Sequence, residues 1–258
     1  MGSVILRVEG LKKFFGGVKA VDGCAFAVEK GKVTALIGPN GAGKTTVFNL
    51  VSGFLTQDSG TIEFFGKRIE RMPAWKRARL GIARTFQQVR LFQNLTLEEN
   101  LLVAAEEGDE SLWKGVVYGR GRKFSARTAG AIHESPVQEV LANVGIDRAP
   151  EALASELSFG QQKLLEFARA NVFPHTLLML DEPVAGVAPH LRSQFIGMIE
   201  GLRQRGATIL LVEHDMEFVM RIADQVIVMD EGSVLTQGTP AEVRRHPQVL
   251  EAYLGEQL

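Results

Sequence analysis

Residues 38–46 read GPNGAGKTT, directly after the apolar run VTALI. The spacing G-x-x-x-x-G-K-[ST], placed between a strand and a helix, is that of a loop whose backbone N–H groups ring a phosphate. In this reading Gly38, Pro39, Asn40, Gly41, Ala42 and Gly43 shape the ring. Lys44 reaches the terminal phosphates, Thr45 ligates Mg²⁺, and Thr46 follows in the first turn of a helix expected from about Gly43 to Val51. A purely structural glycine-rich turn would not need strand, loop and helix all in register. Such a loop requires a metal-orienting carboxylate at the end of a neighbouring strand. Asp181 ends the apolar run LLML and supplies it. The adjacent Glu182 can polarise an attacking water, which would make the site hydrolytic. His214 ends a further buried strand, LLVEHD, at the same edge, where an imidazole can bond a γ-phosphate or water. Gln87 stands where the core hands over to a helical stretch and can bond Mg²⁺-bound water.

A second anion-binding feature is less self-sufficient. Residues 155–170, SELSFGQQKLLEFARA, read as a helix capped by Ser158, with Gly160 and Gln161 in its first turn. A helix N-terminus favours an anion by about 0.3–2 kcal/mol. Even millimolar binding requires about 4 kcal/mol. The turn therefore has to add to a phosphate held by residues 38–45, in this chain or in another; spacing leaves both open.

Strands must carry these groups to one edge. VILRVE and CAFAVE alternate as half-buried strands, and TIEFFG returns to strand. The runs VTALIG, TLLMLDEP, ATILLVEHD and QVIVMDEG read as buried parallel strands separated by helices, with a hairpin turn in DEGSVL. From Pro73 to about Ala154 helical patterns dominate, apart from a short strand near 82–86. The pattern predicts an α/β sheet with a mostly helical insertion. The 258 residues carry a net charge of -1, so no basic field points to nucleic acid. The single cysteine, Cys24, excludes an intramolecular disulfide and reads as a core residue of a reducing compartment. The N-terminus does not read as a signal peptide, and no apolar run approaches the roughly 18 residues of a membrane span. Arg120, Arg122, Lys123 and Arg127 form a basic cluster that could face lipid headgroups, though a solvated loop is the weightier reading.

Taken in order, GPNGAGKT, Gln87, LSFGQ, LLMLDEP and His214 resemble the ATP-binding-cassette family over nearly the whole chain. RTFQ, RLFQNLTLEENLLVA, DEPVAGVAP, VEHDMEFVM and AYLGE are similar to the ATP-binding subunits of branched-chain amino acid importers. The resemblance implies a P-loop NTPase core with a mostly parallel sheet, an N-terminal antiparallel β subdomain and an inserted helical subdomain. Residues 1–87 and 161–258 would form the core, and 88–160 the helical part of one domain. It implies ATP and Mg²⁺, with Phe15 stacking on adenine, Val21 lining the base, and Ser158, Gly160 and Gln161 closing on a partner's nucleotide in a head-to-tail dimer. Two membrane permeases and an extracytoplasmic substrate-binding protein would complete the assembly at the cytoplasmic face of the membrane. Leu91, Phe92 and Leu95 are expected to border a groove for a permease helix, or else to pack the insertion's own core. Alternatives are an importer of urea or short amides, a lipid exporter, a soluble ATPase acting on ribosomes or DNA, and a sensor without turnover; Glu182 and His214 argue against the last. Two positions depart from the family pattern: Phe159 replaces a glycine, and Ala188 an Asp or Asn.

Overall fold

The computed structural model describes residues 2–105 and 136–254. Strands β1 (Val4–Phe15) and β2 (Val18–Glu29) pair antiparallel and are longer than their alternating stretches predict. Strand β3 (Val33–Ile37) runs into the phosphate loop and helix α1 (Lys44–Ser52). Next come β4 (Ser59–Phe64), β5 (Lys67–Arg68), α2 (Ala74–Arg79) and β6 (Ile82–Arg84). Helices α3 (Leu97–Leu102), α4 (Pro136–Asn143) and α5 (Phe159–Val172) follow. The chain continues through β7 (Leu177–Asp181), α6 (Pro189–Gln204), β8 (Ile209–Val212), α7 (Met216–Ile222), β9 (Gln225–Asp230) and β10 (Ser233–Gly238). Helices α8 (Pro240–Val243) and α9 (Pro247–Leu254) come last. The basic cluster at 120–127 lies outside the described residues.

Two sheets result. One is antiparallel, in the order β2-β1-β4-β5; the other has the order β10-β9-β3-β8-β7-β6 and is parallel except for β10. The central strands are apolar on both faces because both faces are covered. Leu178, Leu180, Ile209 and Leu211 face the core shared with α3 to α7, including Leu97, Leu101, Val137 and Leu164. Leu177, Met179, Leu210 and Val212 face the opposite core with α1 and the antiparallel sheet, where Cys24 is buried. Burial pushes the Cys24 thiol up to about 12, which fits a packing role. The hairpin β9–β10 turns through Glu231 and Gly232, both left-handed (φ 43° and 81°), as a two-residue turn of that kind requires.

Parallel strands β3, β7 and β8 end on the same side of the sheet. The phosphate loop, Asp181–Glu182 and Glu213–His214 follow them there, at the edge where such sheets bind ligands. None of the helices among the described residues is long and apolar enough to cross a membrane.

Candidate functional site

Backbone contacts dictate the glycines of the phosphate loop. Gly38 has φ +147°, and a Cβ there would lie 2.1 Å from the carbonyl oxygen of Met229. Gly43 has φ +95°, and its Cβ would meet the Ala20 oxygen at 2.3 Å. The loop is braced by the Ala42 N–H donating to Pro39 (3.2 Å) and the Gly232 N–H donating to Ala42 (3.2 Å). Lys44, 6 % exposed, places Nζ 2.7 Å from the carbonyl oxygens of both Gly38 and Pro39, inside the curve of the loop. Its cation thus lies against the backbone of the loop, beside the turn that would hold an anion.

Asp181 closes the next part of the site. One carboxylate oxygen, Oδ2, is 2.7 Å from Arg84 Nη2 in a pair that is almost wholly buried. The other, Oδ1, is buried with no hydrogen-bond partner among the described residues. Burial raises the pKa of Asp181 and Arg84 opposes the rise. The backbone N–H of Asp181 donates to Thr85 Oγ1 at 3.1 Å, which fixes the end of β7 against β6. A buried carboxylate oxygen without a partner is a natural acceptor for a metal ion or its water, so the residues present fit Mg²⁺. Arg84 is held in turn by Asn49 Oδ1 (2.8 Å) and Ser52 Oγ (2.6 Å), with Phe48, Phe54 and Phe86 packed around its guanidinium.

Three residues singled out from separate stretches of sequence are joined in one chain of hydrogen bonds. Gln87 Nε2 donates to Glu182 Oε2 at 3.2 Å, and His214 Nε2 lies 2.8 Å from Glu182 Oε1. Glu182 is 9 % exposed, whereas the His214 side chain remains open to solvent. A carboxylate anchored at both oxygens keeps one orientation, as a base that must meet a water molecule requires. Sequence reasoning missed the residue that aligns this edge. Glu213 is buried and accepts the backbone N–H groups of Val184 (2.9 Å), His214 (3.0 Å) and Asp215 (3.4 Å). It thus ties the turn after Glu182 to the turn that carries His214. A charged residue ending an otherwise apolar strand was the available signal.

The sequence model of the ABC transporter family matches residues 21–185, and that of the branched-chain amino acid ATP-binding cassette transporters matches residues 233–258. The chain belongs to the ABC transporter family. It is 41% identical over 257 residues to the high-affinity branched-chain amino acid transport ATP-binding protein LivG of Salmonella typhimurium, covering 99% of this chain and 100% of that one. It is 42% identical over 258 residues to BraF of Pseudomonas aeruginosa, which bears the same description, with 99% and 100% covered. The crystal structure of the ADP conformation of an ATP-binding cassette of an ABC transporter superposes with a TM-score of 0.79 at 31% identity, covering 98% of this chain and 99% of that one. A nucleotide-free cassette gives 0.79 at 33% identity, with 97% and 98% covered. The protein is therefore an ABC ATPase with the P-loop fold expected from its motifs, and it binds ATP.

The remaining expected residues of this ABC cassette fall into two groups. Phe15, at the end of β1, is 46% exposed and free of the core, so its ring is available for stacking. Val21 is not available: it has no exposed surface and packs among Leu11, Cys24 and Phe48. Val18, paired directly with Phe15 and 66% exposed, occupies the surface position expected of Val21. The register shift between Leu11 and Lys12 in the β1–β2 ladder, where Gly23 (φ 85°) has no partner opposite it, puts Val21 on the same inward face as Cys24. At the signature turn, Ser158 Oγ accepts the Gln161 N–H (3.3 Å) while Gln161 Oε1 accepts the Ser158 N–H (3.1 Å), a reciprocal cap. Gly160 leaves room for α6: a Cβ there would meet Leu191 Cδ1 at 2.3 Å.

The two departures from the family pattern have local explanations. Phe159 begins α5 without positive φ, so no glycine is required there. Its exposed ring lies 5.7 Å from Lys163 Nζ and close to Gly186. Ala188 is the N-cap of α6, with extended backbone angles, and offers no side-chain hydrogen bond to the first turn. Ala188→Asp is therefore expected to stabilise the isolated chain by about 1 kcal/mol. Urea unfolding checks this; an unchanged or lower midpoint would mean that the carboxylate does not reach the free N–H groups.

Proposed function

We propose that the chain is the ATP-hydrolysing subunit of an importer of branched-chain amino acids, working as a head-to-tail pair at the cytoplasmic face of the membrane. The observation that carries hydrolysis is the Gln87–Glu182–His214 chain beside the phosphate loop. Lys44 holds the terminal phosphates, and Glu182 accepts a proton from the attacking water, with Gln87 and His214 keeping its oxygens in place. Thr45, Asp181 and Gln87 would hold Mg²⁺, directly or through its water. When bound, Mg²⁺ neutralises charge on the phosphate oxygens. The signature turn, too weak an anion site alone, adds Ser158, Gly160 and Gln161 to a phosphate held by the other chain. The cargo reading rests on the names of the whole-length relatives and on the match of residues 233–258.

The permease contact belongs to a groove of about 440 Å³ between α2, β6 and α5, lined by Phe54, Trp75, Phe86, Arg90, Val103 and Arg169. A mostly apolar lining that also carries Arg90, Arg169 and Glu166 suits a short helix with an apolar face. This relocates the contact expected at Leu91, Phe92 and Leu95. Leu91 packs against the core and Leu95 is half-buried. Phe92 is exposed but lies under Arg169, 5.1 Å from its guanidinium, outside the groove lining. Trp75 is 56% exposed, so Trp75→Asp is expected to fold and bind ATP normally. It should fail to co-purify with the permeases and should lose leucine uptake in proteoliposomes. Co-purification and uptake at wild-type level would place the permease contact elsewhere. Uptake of urea or a short amide in place of leucine by the wild-type assembly would overturn the cargo reading.

A further inference from the structure

Glu182 stands in a left-handed backbone conformation, φ +48°. Residues with a side chain keep such a conformation only where the surroundings hold it. Here the Glu182 N–H donates to the Val212 carbonyl at 2.9 Å, which anchors one side of the residue to β8. The other side is held by a charge: Lys163 Nζ donates to the Glu182 carbonyl oxygen at 2.7 Å.

Lys163 is an unusual residue to find at this place. It is 5% exposed, in a stretch of α5 where Leu164, Leu165 and Phe167 are buried too. Burying an ammonium is unfavourable unless it is paired. Burial lowers its pKa, while Glu213, Glu166, Glu182 and Asp181 oppose that shift. Neutralising those carboxylates could be done by a cation anywhere among them. Instead the ammonium grips the carbonyl of the one residue in the cluster with a left-handed backbone. A carbonyl fixed there fixes the peptide plane that follows Glu182, and with it the direction from which the carboxylate reaches Gln87 and His214.

We propose that Lys163 is a positioning residue for Glu182, holding the strained backbone that aims the carboxylate at the attacking water. The inference rests on the reading of Glu182 as general base. It has a consequence for the paired assembly. Lys163 is five residues beyond Ser158 on the same helix, so the helix whose start closes on the partner's nucleotide also holds the base of its own site. The two sites are thereby linked through one side chain.

The test is steady-state ATP hydrolysis by the full chain, with ATP affinity and melting temperature measured alongside. Lys163→Met is expected to bind Mg-ATP within about twofold of wild type and to lose turnover by about tenfold or more, a kcat effect without a matching KM effect. Lys163→Arg, which keeps a cationic donor, should retain most turnover. The double variant Lys163→Met/Glu182→Gln should be no slower than Glu182→Gln alone, because both changes disable the same group. Should Met at 163 not fold, Arg against Gln gives the same comparison, with Arg the faster. A Lys163→Met enzyme with wild-type turnover, an Arg variant no faster than Met or Gln at equal stability, or losses that multiply in the double variant would each overturn the proposal. Normal turnover by Glu182→Gln would instead remove the general-base reading, and the proposal with it.

Discussion

Lys44→Ala is expected to abolish ATP binding at micromolar to millimolar nucleotide. The ammonium is buried inside the curve of the loop, where the carbonyl oxygens of Gly38 and Pro39 accept from it. Removing the ammonium takes a positive charge out of the curve of the loop as well as deleting a contact. A charge-assisted hydrogen bond to phosphate is about twice as strong as a neutral one. Loss of about 3 kcal/mol or more corresponds to a factor of over 100 in affinity. Fluorescent-nucleotide titration measures it directly. Affinity retained within tenfold would mean that the loop holds phosphate through its backbone alone. The fold should survive, because Ala is a good helix former at the start of α1.

Glu182→Gln separates binding from chemistry. The amide keeps the shape of the carboxylate and can still meet Gln87 and His214, but it cannot take a proton from water. Mg-ATP should bind near-normally while turnover falls by about 100-fold or more. Turnover within a few-fold of wild type would assign the proton to another group. Among the described residues the nearest alternative is His214, already bonded to Glu182.

Much of this site was legible because its motifs are contiguous and sit at strand ends. GPNGAGKTT, LLMLDEP and LLVEHD each carry strand, turn and functional residue in a few positions, and the parallel sheet brings their ends together. The supporting charges were not legible. Lys163 and Glu166 fall within an amphipathic helix pattern that gives no hint of their burial, and Arg84 falls in a three-residue strand. Glu166 accepts the N–H groups of Phe86 (3.4 Å) and Arg90 (3.2 Å), bracing the segment that holds Gln87. Only the tertiary structure shows that a helix and a loop 76 residues apart share that carboxylate. Val21 failed for a different reason. A spacing carried over from a family assumes an unbroken ladder, and the irregular β1–β2 register decides instead which face each residue takes. The burial of Leu91 and Leu95 was not legible either, because it cannot be read from their neighbours in sequence.

The claim that hydrolysis at this site drives import can be tested in one assay: leucine uptake into proteoliposomes that contain the chain, its permeases and their binding protein, with Mg-ATP supplied on the side of the cassette. The wild-type assembly should accumulate leucine only with ATP, and the Glu182→Gln assembly, with the same ATP bound, should not accumulate it over repeated cycles. Uptake that proceeds without ATP, or at the same rate with Glu182→Gln, would contradict the account.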